Sequence, residues 1–301
     1  MRKVCNVAVG TIWSAPDKVR SVDEQALTHP TNIQQWLLKL TLEEKLAFSE
    51  DLSIDTQILY GEEVEVLEEL DGWMKVACIH QASDQHELGY PGYIPAVQLS
   101  DVCEVADDRQ YVRVIVPKTL TYKDQQPHII ISFNTTLPLI DEQDDWVTVM
   151  SPDGTVELRK SDVVIQPNYW PQIQHNFKAL YAAVRQFLDL GYLWGGMSSY
   201  GYDCSGLVYQ VYRHMGHKLP RDAGEQYEAT TPVDKSDLLP GDLVYFSSNQ
   251  SIDSITHIGI YIGDGMMIHS PHTPKAIEEM TITSGYYETH YVAGSRVIDF
   301  Q

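Results

Sequence analysis

The stretch GYDCSGLVYQVYRHMG, residues 201–216, decides how this chain of 301 residues is interpreted. Aspartate is favoured immediately before a helix, and the apolar residues after Cys204 recur at helical spacing. Cys204 is therefore predicted in the first turn of a helix, with Asp203 or the preceding loop as the cap. Unpaired backbone N–H groups and the helix dipole favour a thiolate there. Cys204 is the candidate nucleophile.

The other three cysteines, Cys5, Cys78 and Cys103, lie in apolar segments typical of strands, where a thiol usually packs in a core. The four cysteines show neither CxxC pairing nor the density of a disulfide scaffold. We therefore expect reduced thiols in a cytoplasmic protein.

A nucleophilic thiol needs an imidazole partner, and THIGIYIG, residues 256–263, places His257 on a predicted strand. A turn at residues 263–265 leads to a second strand that carries His269. A three-residue loop would place His269 opposite Gly259 and beside His257. A two-residue loop would shift the register by one and turn His269 to the other face.

These residues predict thiol chemistry on an amide. Cys204 would attack the carbonyl, His257 would pair with the thiolate and protonate the leaving amine, and His269 would hold the His257 ring. The oxyanion would need backbone N–H groups near Cys204 and one side-chain donor.

The order of predicted elements indicates an α+β domain over residues 167–301. An amphipathic helix is predicted from His175 to Gly191, a second helix follows Cys204, and strands come after both. This order places the candidate nucleophile on a helix and both histidines on strands.

The front of the chain predicts two small all-β barrels, over residues 1–104 and 105–166. Segments 58–99 and 133–165 share an acidic turn, a tryptophan (Trp73 or Trp146) and short alternating strands. The repeat indicates a duplication, and residues 31–51 predict a helical insertion in the first barrel. The segment VCNVAVGTIW after Met1-Arg2-Lys3 favours a first strand over a signal peptide, because Asn6 interrupts it and no small-residue cleavage pattern follows.

The motifs YLWGGMSSYGYDCSGLVYQVY, LPRDA, LLPGDLVYF, THIGIYIG and IHSP resemble, in that order, those of the NlpC family of papain-like cell-wall peptidases. The resemblance covers residues 178–301. With bacterial SH3-like barrels in front, the whole pattern is similar to the γ-D-glutamyl-L-diamino acid endopeptidases of that family.

The resemblance implies a papain-like catalytic domain in which Cys204, His257 and His269 are catalytic. It further implies that Tyr192 assists the oxyanion, although Tyr192 is equally compatible with a buried aromatic at a corner of the chain. Asp203 and Ser205 would bind the free amino terminus of the substrate; for Asp203, capping the helix is the alternative, and the two roles are compatible.

The resemblance also implies that the first barrel closes one end of the groove, with Tyr90 and Glu62 as candidate contacts. A carboxylate paired with an ammonium in a closed pocket rejects substrates that lack that charge. Arg221 and Asp222 in LPRDA are further candidates to bind a substrate carboxylate or amine, with a structural ion pair that secures the loop as the alternative.

The implied substrates are short murein peptides such as L-Ala-γ-D-Glu-diamino acid, cleaved before meso-diaminopimelate or L-Lys. An amidase or acyltransferase on the same fold and a non-catalytic wall-binding protein are the alternatives. The preferred diamino acid and the oligomeric state are left open, as is export after removal of a leader.

Composition excludes several classes of partner. The formal net charge of −21 argues against nucleic acid, since phosphate binding needs clustered Lys and Arg. The chain has no run of about 18 apolar residues, so no membrane span is predicted. The histidines lack HExxH spacing and no Gly-rich phosphate loop follows a strand, so neither a metal nor a cofactor is predicted.

Overall fold

The computed structural model describes residues 1–102 and 109–300. Two compact units are present: the first combines residues 1–80, 85–171 and 197–200, and the second combines residues 81–84, 172–196 and those from 201 onward. The predicted boundary between residues 104 and 105 and the predicted packing of Cys103 lie outside the described residues.

The first barrel lies within residues 1–102. Its strands are β1 (Arg2–Cys5), β2 (Val9–Trp13), β3 (Ile54–Leu59), β4 (Glu63–Leu70), β5 (Trp73–Cys78), β6 (Tyr90–Pro95) and β7 (Leu99–Asp101). They form one sheet in the order β3-β2-β6-β5-β4-β1-β7. The segment predicted as a single first strand forms two strands, β1 and β2, which separate at Asn6.

The second barrel, within residues 109–166, repeats this arrangement. Its strands are β8 (Tyr111–Val114), β9 (Lys118–Lys123), β10 (Gln126–Ser132), β11 (Thr136–Glu142), β12 (Trp146–Ser151), β13 (Gly154–Arg159) and β14 (Val163–Gln166). Their order, β10-β9-β13-β12-β11-β8-β14, is that of the first barrel with every number raised by seven. The two predicted barrels are confirmed, and the shared order supports their origin by duplication. The short strand β15 (Met197–Ser198) also belongs to the first unit.

A helical insertion separates β2 from β3, as predicted. It contains α1 (Glu24–Leu27), α2 (Ile33–Lys39) and α3 (Leu42–Glu50). The side chain of Asn32 caps α2, and Thr41 caps α3 in a reciprocal capping box with Glu44. Trp36 and Phe48 are fully buried and their rings pack edge to face, so the insertion has a small core of its own.

The second unit is the predicted α+β domain. Its elements are α4 (Phe177–Arg185), β16 (Gly201–Tyr202), α5 (Cys204–His214), α6 (Ala223–Glu228), β17 (Thr231–Val233), β18 (Leu243–Phe246), β19 (His257–Gly263), β20 (Met266–His269), β21 (Glu278–Thr281), α7 (Gly285–His290) and β22 (Tyr291–Arg296). Strands β17 to β22 form an antiparallel sheet in the order β17-β22-β18-β19-β20-β21. Helix α5 packs against α4 and against β19, in the middle of the sheet.

The helices of the chain are short. Helix α4 ends at Arg185 rather than at the predicted Gly191, because the N–H groups of Phe187 and Leu188 bond to carbonyls three residues back and Asp189 has a positive φ of 66°. Within the described ranges, 1–102 and 109–300, no helix has the length and apolar character that crossing a membrane requires.

Candidate active site

Cys204 is the first residue of α5, and Asp203 is its N-cap. The Asp203 carboxylate accepts the backbone N–H of Gly206 at 2.6 Å, which confirms the predicted cap. Cys204 is half-buried, whereas Cys5 and Cys78 are fully buried in the core of the first barrel. Of these three cysteines, only Cys204 is less than fully buried.

The hairpin between β19 and β20 turns on two residues, which is the shorter of the two loop lengths that the sequence left open. Asp264 and Gly265 have φ values of 52° and 72°, as a type I′ turn requires, and Gly263 pairs with Met266. A two-residue turn alone would direct His269 to the opposite face of the sheet.

A β-bulge restores the register expected for a three-residue loop, in which His269 lies opposite Gly259. The pairing shifts at Ile262, after which Tyr261 lies opposite Met267 and Ile260 opposite Ile268. A Cβ on Gly259 would lie 3.1 Å from the Cβ of His269. His269 is therefore across the hairpin from Gly259, where a three-residue loop would have placed it, although the loop has two residues.

The two histidines are in direct contact. Nε2 of His257 lies 2.7 Å from Nδ1 of His269, and the ring planes are inclined by 73°. His269 is 1% exposed, so its ring is held by the surrounding protein. With Nε2 of His257 occupied, Nδ1 is the ring nitrogen left for the thiol.

Burial has the largest influence on the pKa values of Cys204, His257 and His269. It raises the pKa of Cys204 to about 12, aided by the charge of Asp203 and opposed by the backbone N–H groups of Ser205 and Ile258 and by Arg221. Burial lowers the pKa of His257 to about 3 and that of His269 to about 2. Burial thus opposes the preference of the helix start for a thiolate and disfavours protonated imidazoles.

Tyr192 lies close to the thiol. Its backbone N–H bonds to the carbonyl of Lys275 at 3.0 Å. Burial raises the pKa of the Tyr192 phenol well above its usual value, as do the charges of Cys204 and Asp203, while Arg221 lowers it. The phenol therefore keeps its proton and is able to donate a hydrogen bond.

Asp203, Ser205 and Arg221 form a buried polar cluster beside Cys204. Arg221 is 1% exposed and donates to Asp203 Oδ2 at 2.5 Å and to the Ser205 hydroxyl at 2.8 Å. Asp222 lies 3.9 Å from the same guanidinium, and 43% of its side chain is exposed. Arg221 thus pairs closely with Asp203 and, at a longer distance, with Asp222.

Tyr90 and Glu62 belong to the first compact unit. Tyr90 begins β6 opposite Cys78 and is 6% exposed in the barrel core. Glu62 is 3% exposed, and its carboxylate accepts the N–H of Leu59 at 2.9 Å. Both side chains therefore have structural contacts within their own barrel.

Tyr287, on α7, is a neighbour of the site that the sequence did not reveal. Its ring lies 4.9 Å from that of His269 and 5.9 Å from that of His257. Tyr287 belongs to no motif, and only the fold brings α7 beside the hairpin. Among the described residues, no group of three or more His, Cys, Asp or Glu side chains could hold a metal ion.

A cysteine at a helix start, packed against an antiparallel sheet that presents two paired histidines, defines a papain-like cysteine peptidase. The chain belongs to the NlpC/P60 family. Residues 190–296 match that family, and residues 111–165 match the family described as YKFC SH3b2 domain.

Similarity to relatives extends over almost the whole chain. A Bacillus cereus protein named gamma-D-glutamyl-L-lysine dipeptidyl-peptidase is 35% identical over 97% of this chain and 89% of its own length. A Bacillus subtilis protein of the same name is 36% identical over 96% of both. The crystal structure of an NlpC/P60 family protein from Bacillus cereus superposes with a TM-score of 0.95, at 33% identity, over 98% of this chain and 99% of that one.

Proposed function

We propose that the chain is a cysteine endopeptidase that hydrolyses the bond between γ-D-Glu and a diamino acid in murein peptides. The observation that carries this proposal is the 2.7 Å contact between His257 and His269, next to a thiol at the start of α5. The names of the two Bacillus relatives support the choice of bond.

Cys204 is the nucleophile and His257 the base. His257 Nδ1 takes the thiol proton as the sulfur attacks the amide carbonyl, and the proton passes to the leaving amine when the C–N bond breaks. A water molecule then gives a proton to His257 and attacks the thioester, which releases the γ-carboxylate and restores the thiol.

Tyr192 stabilises the oxyanion together with the backbone N–H groups at the start of α5. A phenol whose pKa is raised stays protonated throughout the neutral range, so its hydrogen is available when the carbonyl oxygen becomes negative. His269 holds the His257 ring through the bond to Nε2.

The proposal also includes recognition of a free amino terminus on the substrate. Asp203 and Ser205 are its candidate binders, and a dipeptidyl-peptidase, as the relatives are named, releases a dipeptide from that end. Arg221 already neutralises Asp203, so a substrate ammonium would share this carboxylate with the guanidinium. Roles for Tyr90, Glu62 and Asp222, and a cytoplasmic location, stay predictions from the sequence.

The test is product analysis by mass spectrometry with four peptides: L-Ala-γ-D-Glu-L-Lys, its meso-diaminopimelate counterpart and the amino-acetylated form of each. Release of L-Ala-γ-D-Glu from the free peptides supports the bond specificity, and resistance of the acetylated forms supports recognition of the amino terminus. Cleavage of free and acetylated peptides at equal rates contradicts that recognition. Transfer of the dipeptide to an added amine in place of water would favour the acyltransferase alternative.

A further inference from the structure

Glu278 lies directly opposite His269 on the neighbouring strand. Strands β20 and β21 are antiparallel, and His269 and Glu278 are direct partners in their register. Directly opposed side chains on one face of an antiparallel pair are close enough to interact. Glu278 is thus the carboxylate next to the histidine that holds His257.

The facing atoms of the two side chains are both buried and without a hydrogen-bond partner among the described residues. They are Nε2 of His269 and Oε1 of Glu278, and they lie 3.9 Å apart. A bridging water would need a separation of about 4.5 Å, from two hydrogen bonds of about 2.8 Å at a tetrahedral angle. A rotation of the partly exposed Glu278 side chain closes the gap directly and satisfies both atoms.

The protonation of His269 determines which tautomer His257 adopts. A neutral imidazole carries one N–H, and the contact between His257 Nε2 and His269 Nδ1 needs one hydrogen between them. If His269 carries its proton on Nε2, then Nδ1 accepts from His257 Nε2–H and His257 Nδ1 is free to take the thiol proton. The opposite tautomers would place a proton on His257 Nδ1 and block that step.

We propose that Glu278 is a positioning residue that holds His269 as the Nε2–H tautomer, and through it makes His257 Nδ1 the base for Cys204. The Glu278 carboxylate accepts the Nε2–H of His269, which selects one of the two tautomer pairs. Lys275, whose Nζ is 3.5 Å from Glu278 Oε1, adds a cation on the solvent side. This inference rests on the proposed thiol chemistry, but it makes a claim about the free protein that needs no substrate.

The experiment compares Glu278→Ala with Glu279→Ala, a matched control on the same strand. Glu279 accepts the hydroxyl of Tyr181 at 2.8 Å and is not part of the histidine contact. For Glu278→Ala we expect kcat to fall about 10- to 100-fold with KM nearly unchanged, because a second-sphere partner that orients an imidazole is removed. The rate of Cys204 alkylation by iodoacetamide should fall in parallel, and Glu279→Ala should keep both rates.

Nitrogen-15 NMR of the histidine side chains tests the tautomer itself. The wild-type protein should show His269 protonated on Nε2, and Glu278→Ala should show a population protonated on Nδ1. Glu278→Gln, which keeps the size and an acceptor oxygen, should retain more of kcat than Glu278→Ala and guards against a folding defect.

An unchanged tautomer in Glu278→Ala, or a Glu278→Gln variant as slow as Glu278→Ala, would overturn the assignment. If the wild type fails to cleave murein peptides, the proposed function fails instead, while the alkylation rates and the NMR spectra still decide the role of Glu278.

Discussion

His269 lies across the β19–β20 hairpin from Gly259, and a Cβ on Gly259 would come within 3.1 Å of the Cβ of His269. The same added atom would lie 2.7 Å from the sulfur of Met267, which is fully buried. The absence of a side chain at residue 259 therefore allows the His269 ring to reach His257.

Gly259→Ala tests this packing. The added methyl must displace Met267 and His269, so we expect a loss of about 1–3 kcal/mol in the free energy of unfolding and a decrease in kcat. Urea denaturation and steady-state kinetics measure the two effects. Gly224→Ala is the control, since nothing lies within 4 Å of its added atom; a Gly259→Ala protein as active and stable as this control would show that the hairpin has room.

The buried histidines make stability depend on pH. Burial lowers the pKa of His269 to about 2, whereas the pKa of an imidazole in an unfolded chain is about 6.5. Below pH 6.5 the unfolded state binds the additional proton, so the stability that neutral His269 contributes above pH 6.5 is lost as the pH falls. The slope approaches about 1.4 kcal/mol per pH unit.

His269→Asn removes this titration and keeps a polar group beside His257. Urea denaturation at pH 7, 6 and 5 should give a shallower decline for the variant than for the wild type. Parallel declines would mean that His269 titrates in the folded protein much as it does in the unfolded chain.

Tyr192→Phe removes the proposed oxyanion donor. Loss of one such donor reduces kcat by about 100- to 1,000-fold in related chemistry, with little change in KM, because the bond forms only as charge develops on the oxygen. Steady-state kinetics on the free tripeptide measures both constants. Tyr286→Phe, at an exposed tyrosine of α7, should behave as wild type; a Tyr192→Phe enzyme with full kcat would leave the phenol as a packing residue.

Arg221→Ala leaves Asp203 buried without its ion-pair partner. Breaking a buried pair from one side costs about 3–5 kcal/mol, because the remaining charge is uncompensated. Thermal or urea denaturation should show this loss. Arg185→Ala removes a pair to Glu279 at 3.6 Å, in which 54% of the arginine side chain is exposed, and should cost about 0–1 kcal/mol. Equal effects of the two substitutions would contradict a buried pair at Arg221.

Local sequence signals were sufficient for much of the fold. The apolar spacing after Cys204 and the aspartate before it predicted helix α5 and its cap, and the repeated acidic turn before Trp73 and Trp146 predicted the paired barrels. Both tryptophans begin a strand, β5 and β12, at equivalent places in the two sheets. Such features depend on a few neighbouring residues.

Contacts between distant residues were less predictable. Turn composition alone does not reveal the bulge at Ile262, because a bulge depends on how the whole hairpin packs. Arg221 shows the same limit: Asp222 is adjacent in sequence and lies 3.9 Å away, yet the fold brings Asp203 closer. Glu278 and Tyr287 reach the histidines only through the register of β21 and the position of α7.

The most direct test of Cys204 as the nucleophile is the rate at which L-Ala-γ-D-Glu is released from L-Ala-γ-D-Glu-L-Lys by wild type, Cys204→Ala and Cys78→Ala. Cys78 is fully buried in the first barrel and provides a matched cysteine control. We expect Cys78→Ala to retain the wild-type rate per folded molecule and Cys204→Ala to release no dipeptide above background. Dipeptide release by Cys204→Ala at a rate near that of wild type would contradict the assignment of Cys204 as the nucleophile.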